Sequence, residues 1–317
     1  MGSIDIIRGG SSDTSGRRGT RLNAAADAGR LVRLAPARFV DADTWRRASP
    51  ADRHVARVRA LHDRLAPRLV VSHASAAALH ALPWRGEFPE VVEVIDPRRD
   101  TAQSLASVRK RPGRGRTLRL ATMTSTGRPV TDLVSTAVDV ALAYELRSSV
   151  PVLDVVLQRG VRRDQLVEEL AGRSAVHGRS RASTAITFAD AASGSPGESV
   201  ARVALDEVGA PTPQLQHEFH DTAGFVARVD FWFPEQGVVL EFDGRVKYTD
   251  PAMRAAGMRA ADVLQAEKRR EDRLRRVPRV RGVGRFGWSE ANDADALAGV
   301  LRSHGIPLAP RSFRSIR

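Results

Sequence analysis

Apolar residues recur at helical spacing from Ser49 to Leu65, where Val55, Val58, Leu61 and Leu65 form the stripe of an amphipathic helix. A second helix follows in VVSHASAAALHALP, with Ser72 as its cap. Upstream, Thr20 to Ala28 reads as an alanine-rich helix that Gly29 terminates. Leu31 and Arg33, then Arg38 and Val40, bracket a turn at Ala35-Pro36 and predict a two-stranded basic hairpin. A helix followed by such a hairpin is how a winged helix-turn-helix ends. Residues 1–18 are rich in Gly, Ser and Arg, the composition of a flexible basic arm. Farther on, EVVEVID (90–96) reads as a strand, and residues 97–117, crowded with Arg and Lys, read as an exposed loop. Segments 131–146, 151–159, 162–171 and 180–192 read as helices, with Gly160 and Gly172 as stops. His73 and His80 lie two turns apart on one helix face. With no third ligand nearby, packing or hydrogen bonding is favoured over a metal site.

The pattern changes after Ser195. SPGESVARVALDEVGAP is a punctuated helix: Ser195 caps it, Pro196 opens it, Gly209 and Pro211 end it, and Glu198 stands at capping-box spacing. Residues 226–233 and 238–243 then read as strands joined through Pro234-Glu235-Gln236-Gly237, a β-hairpin. If Phe233 pairs with Val238, Asp230 faces Glu241 and Arg228 faces Asp243. Asp230, Glu241 and Asp243 then share one face, and Val229, Phe231, Val238, Leu240 and Phe242 share the other. Directly opposed carboxylates about 5 Å apart destabilise a sheet, so something must offset their repulsion. A hard divalent cation is one candidate, since Mg2+ is held by one or two carboxylates plus water and phosphate oxygens. Neutralisation by Arg228, or a register that separates the acids, is the other. Lys247 lies just beyond the strand pair, where a cation would orient water or stabilise charge on a phosphorane-like transition state. Residues 252–276 read as a long helix ending before Pro278, and Lys268 to Arg285 hold nine basic against two acidic residues. Such a block beside acids suits a phosphodiester backbone.

Composition narrows the classes. The chain has 317 residues, a length for two or three domains at roughly 150 residues each. With 42% hydrophobic and 27% charged residues it is an ordinary globular composition, not a disordered one. No transmembrane span and no secretory signal are expected, and cysteine is absent, so disulfides and thiolate chemistry are excluded. A cytoplasmic protein is expected. Formal net charge is +13, and residues 1–70 carry 14 basic and 7 acidic side chains, which points to a polyanionic partner.

Residues 195–290 resemble the small very-short-patch-repair-like endonuclease domains of the PD-(D/E)xK superfamily. The resemblance rests on Glu198, Val229-Asp230-Phe231, Glu241-Phe242-Asp243-Gly244, Glu267 with Arg270 and Leu274, and Arg285-Phe286. The whole chain, including SHASAAALHALP and GRPVTDLVSTAVDVA, also looks like actinobacterial proteins that couple an AbiEi-type antitoxin winged-helix region to such a domain. In departure from the pattern, Asp243 stands where the superfamily has lysine, Lys247 where the subfamily often has histidine, and Ala37 where a wing glycine is usual. The resemblance implies an α+β protein. Its parts would be a flexible arm (1–18), a winged-helix-like DNA-binding region (19–70), a mainly helical middle (71–192), a restriction-endonuclease-like αβββαβ core (193–305) and a basic tail (306–317). It further implies Mg2+- or Mn2+-dependent DNA cleavage, with Asp230, Glu241 and Asp243 holding metal, Lys247 stabilising charge and Glu198 near a metal-bound water. Arg30, Arg33 and Arg38 of the wing and Arg269, Arg270 and Arg273 of the nuclease groove would contact DNA. A DNA-binding repressor with an inactive nuclease fold is the rival expectation. A module that engages a cognate toxin through the helical middle is the third.

Overall fold

The computed structural model describes residues 4–9, 17–122, 127–173, 177–244 and 260–309, and the chain divides into two units, Met1–Thr187 and Phe188–Arg317. The fold is α+β, with twelve α-helices and three sheets among the described residues. No helix among them is long and apolar enough to cross a membrane.

In the first unit, part of the expected arm is a strand. Ile7–Arg8 (β1) leads into helix α1 (Arg17–Asp27), then strands β2 (Leu31–Ala35) and β3 (Arg38–Asp41). The sheet order is β1-β3-β2, and Ile4 is buried beside Leu34 and Val40, which ties the segment down. Ala37 sits in the hairpin turn at φ 56, the left-handed region where glycine is at ease and alanine strained by about 1 kcal/mol. A helix that the hydrophobic pattern did not show, α2 (Ala42–Arg47), starts at Asp41, whose carboxylate caps the Thr44 N–H. In α3 (Pro50–Ala60) Ser49 caps and Pro50 opens the first turn. Its stripe packs as expected: Val58, Leu61 and Leu65 are buried against the next sheet, with Val55 partly so.

That sheet adds strands to a middle region in which the sequence pattern shows one, at 90–96. It has six strands: β4 (Val70–Val71), β5 (Val92–Asp96), β6 (Gln103–Ser104), β7 (Val108–Pro112), β8 (Leu120–Thr122) and β9 (Pro129–Thr131), in the order β6-β7-β5-β4-β9-β8. The stretch read as an exposed loop thus supplies β6 and β7, and β7 runs parallel to β5. Arginine can occupy a strand there because Glu93 of β5, fully buried, takes the Arg111 guanidinium. Five helices accompany the sheet: α4 (His73–Leu79), α5 (Leu133–Ala143), α6 (Leu146–Gln158), α7 (Arg163–Ala171) and α8 (Arg179–Phe188). Helix α6 begins ahead of Pro151 rather than at it, and Gly172 ends α7 without leaving the right-handed region, at φ −67.

A buried polar network crosses these elements. Glu93 accepts from the Ala74 N–H at 3.1 Å and the Tyr144 hydroxyl at 2.6 Å. Asp139 of α5 lies 2.8 Å from Arg116 and 3.1 Å from Arg173, and Arg173 also pairs with Glu169 at 2.7 Å. His54 bonds the Ser75 hydroxyl at 2.8 Å. The two histidines expected on one face have separate partners: His73 the Ser72 hydroxyl at 2.9 Å, His80 the Thr131 carbonyl at 2.7 Å.

The second unit runs α9 (Pro196–Glu207), β10 (Gln214–Asp221), β11 (Gly224–Phe233), β12 (Val238–Asp243), α10 (Ala260–Arg275), β13 (Gly282–Gly287), α11 (Trp288–Ala291) and α12 (Ala294–Ser303). The sheet order is β10-β11-β12-β13; the first three strands are antiparallel and β13 is parallel to β12. Phe231, Phe233, Leu240 and Phe242 pack against Ala201 and Leu205 of α9 and Leu297 and Leu301 of α12. On the other face Phe219, Val229, Trp232 and Val239 pack against Leu274 of α10. Each such buried side chain contributes roughly 1.5–3 kcal/mol. Ile306, expected in the basic tail, is buried in the first of these clusters.

The network of the first unit makes its stability pH-dependent. Burial lowers His54 to about 4 and His73 to about 3, and raises Asp139 to about 7. Between about pH 4 and 6.5, unfolding therefore binds two protons at the histidines and releases one at Asp139. The net uptake of one proton means stability falls with falling pH, by about 1.4 kcal/mol per unit. Hydrogen exchange of β4 and β5 peptides at pH 5 and 6.5 should show this slope. Asp139→Asn should steepen it towards twofold, and an unchanged or reversed slope in that variant would contradict the assignment.

Candidate functional site

The acids singled out in the sequence are held by α9 and the inner strands of the second unit's sheet. Ser195 caps α9 by accepting from the Glu198 N–H, and Glu198 folds back in return. Its Oε1 accepts from the Ser195 hydroxyl at 2.8 Å and its Oε2 from the Gly194 N–H at 2.9 Å. A Cβ on Gly194 would stand 2.6 Å from Gln216 Nε2 and 2.9 Å from Glu198 Oε2, so a larger residue there would displace these two side-chain ends. Gln216 of β10, at φ 50, aims its amide into the site. One nitrogen, Nε2, donates to Glu198 at 2.7 Å and to Asp230 of β11 at 3.2 Å. Burial, and then the charge of Asp230, raise Glu198 above the usual carboxylate range.

The hairpin register is the expected one: Phe233 pairs with Val238 and Phe231 with Leu240. The ladder stops there. Asp230 does not stand as a repelling partner to Glu241, because its Oδ2 accepts the Phe242 N–H at 2.9 Å. A side chain thus takes a strand N–H that a backbone carbonyl would otherwise receive, and the alternation breaks at Asp230. Val229 consequently turns to the α10 face with Trp232, while Phe231 faces α9, which corrects the expectation that the two share a face.

Glu241 is buried and neutralised by arginine, although not by Arg228. Arg270 of α10 donates to its Oε1 at 2.7 Å, and Arg285, its register partner on β13, lies 3.5 Å from Oε2. Arg228 is exposed opposite Glu218 of β10 rather than Asp243. Asp243 is half-buried at the end of β12, beside Gly287. The second expectation for the acids, an ion-pair network, therefore has a structural basis, with different arginines in the role. Among the described residues no group of three or more His, Asp or Glu side chains is set to hold a metal ion. Lys247 lies outside the described residues, as does the side chain of Glu267.

The expected DNA contacts are placed as follows. Arg30 is exposed between α1 and β2, Arg33 bonds Asn23 at 2.7 Å, and Arg38 reaches Asp63 at 3.4 Å. On α10, Arg269 is exposed and bonds Gln265, Arg270 serves Glu241, and Arg273 forms a bidentate pair with Asp221. Gln216 and Arg285 were not singled out as site residues. Gln216 carries no charge pattern, whereas Arg285, one arginine before a buried Phe286 on a strand, was marked only by family resemblance.

No family model matches the chain. Two curated proteins, Uncharacterized protein MT2308 of Mycobacterium tuberculosis strain CDC 1551 / Oshkosh and Uncharacterized protein Rv2248 of strain H37Rv, are each 31% identical over 128 residues, 40% of this chain. The chain spans about half (47%) the length of these relatives. The crystal structure of RV2827C protein from Mycobacterium tuberculosis aligns at 16% identity over 64% of this chain and 77% of that one, with a TM-score of 0.33.

The pairing of Glu241 sets the sign of a stability test. Glu241→Gln should lower stability by about 1–3 kcal/mol, since it strips a partly buried Arg270 of its counter-charge. Asp230→Asn keeps one acceptor oxygen for Phe242 and relieves the charge beside Glu198, so it should cost under about 1 kcal/mol. Urea denaturation of both variants checks the difference. A stabilised Glu241→Gln protein would show that acid repulsion, not arginine pairing, dominates the site.

Proposed function

We propose that the chain is a DNA-binding protein whose second unit is a nuclease-like domain of the PD-(D/E)xK kind, acting on DNA phosphodiesters with Mg2+ or Mn2+. The observation that carries this reading is the element order α9-β10-β11-β12-α10-β13, with Glu198 on the first helix joined to Asp230 through Gln216 and Glu241 on the next strand. The donors are of the right kind, since carboxylate oxygens are what a hard divalent ion takes, although Asp230 and Glu241 are each committed to other partners in this structure. Asp230 and Glu241 would hold it, and Asp243 would assist directly or through water. When bound, such an ion supplies an activated water and offsets charge on the phosphate. Lys247 would add positive charge beside the scissile group.

The chain's own arginines decide when that is feasible. Arg270 has to leave Glu241 before the carboxylate can take a cation. A DNA backbone along Lys268–Arg285, nine basic against two acidic residues, offers phosphates in exchange. DNA and cation would then bind cooperatively, each favouring the state with Arg270 displaced. In the first unit, the basic hairpin β2–β3, backed by α1 and β1, supports a winged-helix-like DNA contact through Arg30, Arg33 and Arg38.

A second reading has its own observation. Glu241 is already neutralised by Arg270 and Arg285, and Asp243 replaces the family lysine, which favours a DNA-binding repressor of the antitoxin kind that does not cut. The two part in one set of assays on plasmid and linear DNA with Mg2+, Mn2+ or chelator. The nuclease reading expects cation-dependent cleavage, lost in Asp230→Asn and Glu241→Gln while DNA affinity persists. It also expects Mg2+ or Mn2+ to raise the melting temperature of the protein–DNA complex, as any ligand of the folded state does. Salt-sensitive DNA binding without cleavage or cation-induced stabilisation would leave the repressor.

A further inference from the structure

We propose that the two loops leaving the same end of β5 and β7 form a second phosphate-backbone site, separate from the hairpin and from α10, and built on Arg98, Arg99, Lys110 and Arg114. The proposal rests on the reading of this chain as a DNA-binding protein and adds a contact surface to it.

The loops are fixed to each other from below. Asp96, the last residue of β5 and buried, receives the Arg68 guanidinium at 3.1 and 3.3 Å and the Arg98 N–H at 3.2 Å. The Arg99 carbonyl in turn accepts the N–H groups of Gly113 and Arg114, each at 3.0 Å. Gly113 makes this approach feasible: a Cβ there would lie 2.4 Å from Ile95 Cγ2 and 3.0 Å from the Asp96 carbonyl. The guanidinium groups are oriented as well. Arg114 donates to the Arg98 carbonyl at 3.0 Å and pairs with Asp100 at 3.0 Å, and Arg99 donates to the Thr101 carbonyl at 3.2 Å.

Charge on this knot is one-sided. Arg68 and Lys110 act on Asp96 and Arg114 on Asp100, so with Arg98 and Arg99 these loops and their support carry five cations against those two acids, an excess of three positive charges. Arg98 and Arg114 stay exposed, the latter with 64% of its side chain accessible. Holding like charges together on a rigid support costs stability, and an anion bound across them would recover it with little further ordering. Planar guanidinium forks match phosphate oxygens. A protein partner would need an apolar anchor in addition. The large exposed apolar side chains of this unit, Leu105, Leu120 and Val167, lie outside these loops.

The test measures binding of the full chain to a labelled DNA duplex across a salt series. The variants are Arg98→Gln/Arg99→Gln/Arg114→Gln, with Arg68 left to hold Asp96, and Arg30→Ala/Arg33→Ala/Arg38→Ala in the hairpin. Each lost phosphate contact lowers the slope of log K against log salt by about 0.9, so the loop variant should be shallower by about 2 to 3 with a melting temperature no lower than the parent's. An unaltered slope in the loop variant, with a weakened hairpin variant, overturns the loop site and leaves the DNA-binding reading standing. Absence of salt-sensitive binding by the parent overturns both. Polyglutamate displacing DNA from the parent, but not from the loop variant, at equal charge concentration would assign the loops to an acidic protein and overturn the phosphodiester.

Discussion

Each unit is organised around a glutamate buried in an inner strand and neutralised by arginine from the next strand. Glu93 of β5 stands in register with Arg109 of the parallel β7 and bonds Arg111 on the same strand. Glu241 of β12 stands in register with Arg285 of the parallel β13 and bonds Arg270 of α10. Removing one member of such a pair strands a charge in a low-dielectric interior at several kcal/mol, whereas an apolar pair of the same shape would be no worse. What the pairing confers is register. A one-residue slip of β7 or β13 would set the arginine on the wrong face of its sheet. The apolar packing of Val92, Val94 and Val108, and of Leu240 and Phe242, settles around that choice.

This use of arginine changes what the net charge of +13 conveys. Many of the cations serve the interior. Arg173 is buried against Asp139 and Glu169, Arg128 donates to the carbonyls of His62 and Ala66 after α3, and Arg202 lies over the Phe188 ring and bonds its carbonyl. Guanidinium suits these places because it keeps its charge when buried and supplies several donors in a plane, which lysine does not. A chain with so few lysines is therefore one in which basic residues double as scaffold. Charge available to a polyanion has to be sought where arginine outnumbers acid on exposed backbone, as it does in the loops after β5 and β7.

Sequence periodicity made some of this legible. The hairpin of β11 and β12 was readable to its register, because a four-residue connection ending in glycine leaves few ways to pair Phe233. Ser195 and Pro196 marked the start of α9 correctly, and the apolar stripe read from Ser49 placed α3. The face of Val229 was not readable, since the rule of alternation assumes an unbroken ladder and Asp230 breaks it with its own carboxylate. Strand β7 was missed for the opposite reason. VRKRP looks like solvent-exposed loop until a buried glutamate on the neighbouring strand supplies the counter-charge, and that neighbour is sixteen residues away from Arg109. Helix α2 was hidden because Asp41 ends a strand and caps a helix at once.

The same logic bears on the acids of the second unit. Opposed carboxylates in a sheet invited a cation as the agent that offsets their repulsion. The structure answers the repulsion locally, with the Phe242 N–H and the Gln216 amide for Asp230 and with two guanidinium groups for Glu241. Stability of the fold thus makes no demand for a metal, and any cation affinity would have to be a property of function rather than of folding. Such affinity must compete with Arg270, which holds Glu241 from a helix whose neighbouring arginines are themselves committed to Asp221 and Glu271. A polyanion laid along α10 would shift all of these pairs together, because each exchanges a carboxylate for a phosphate. The basic helix and the acids therefore meet through one pair, Arg270 with Glu241, whose charge depends on where that guanidinium sits.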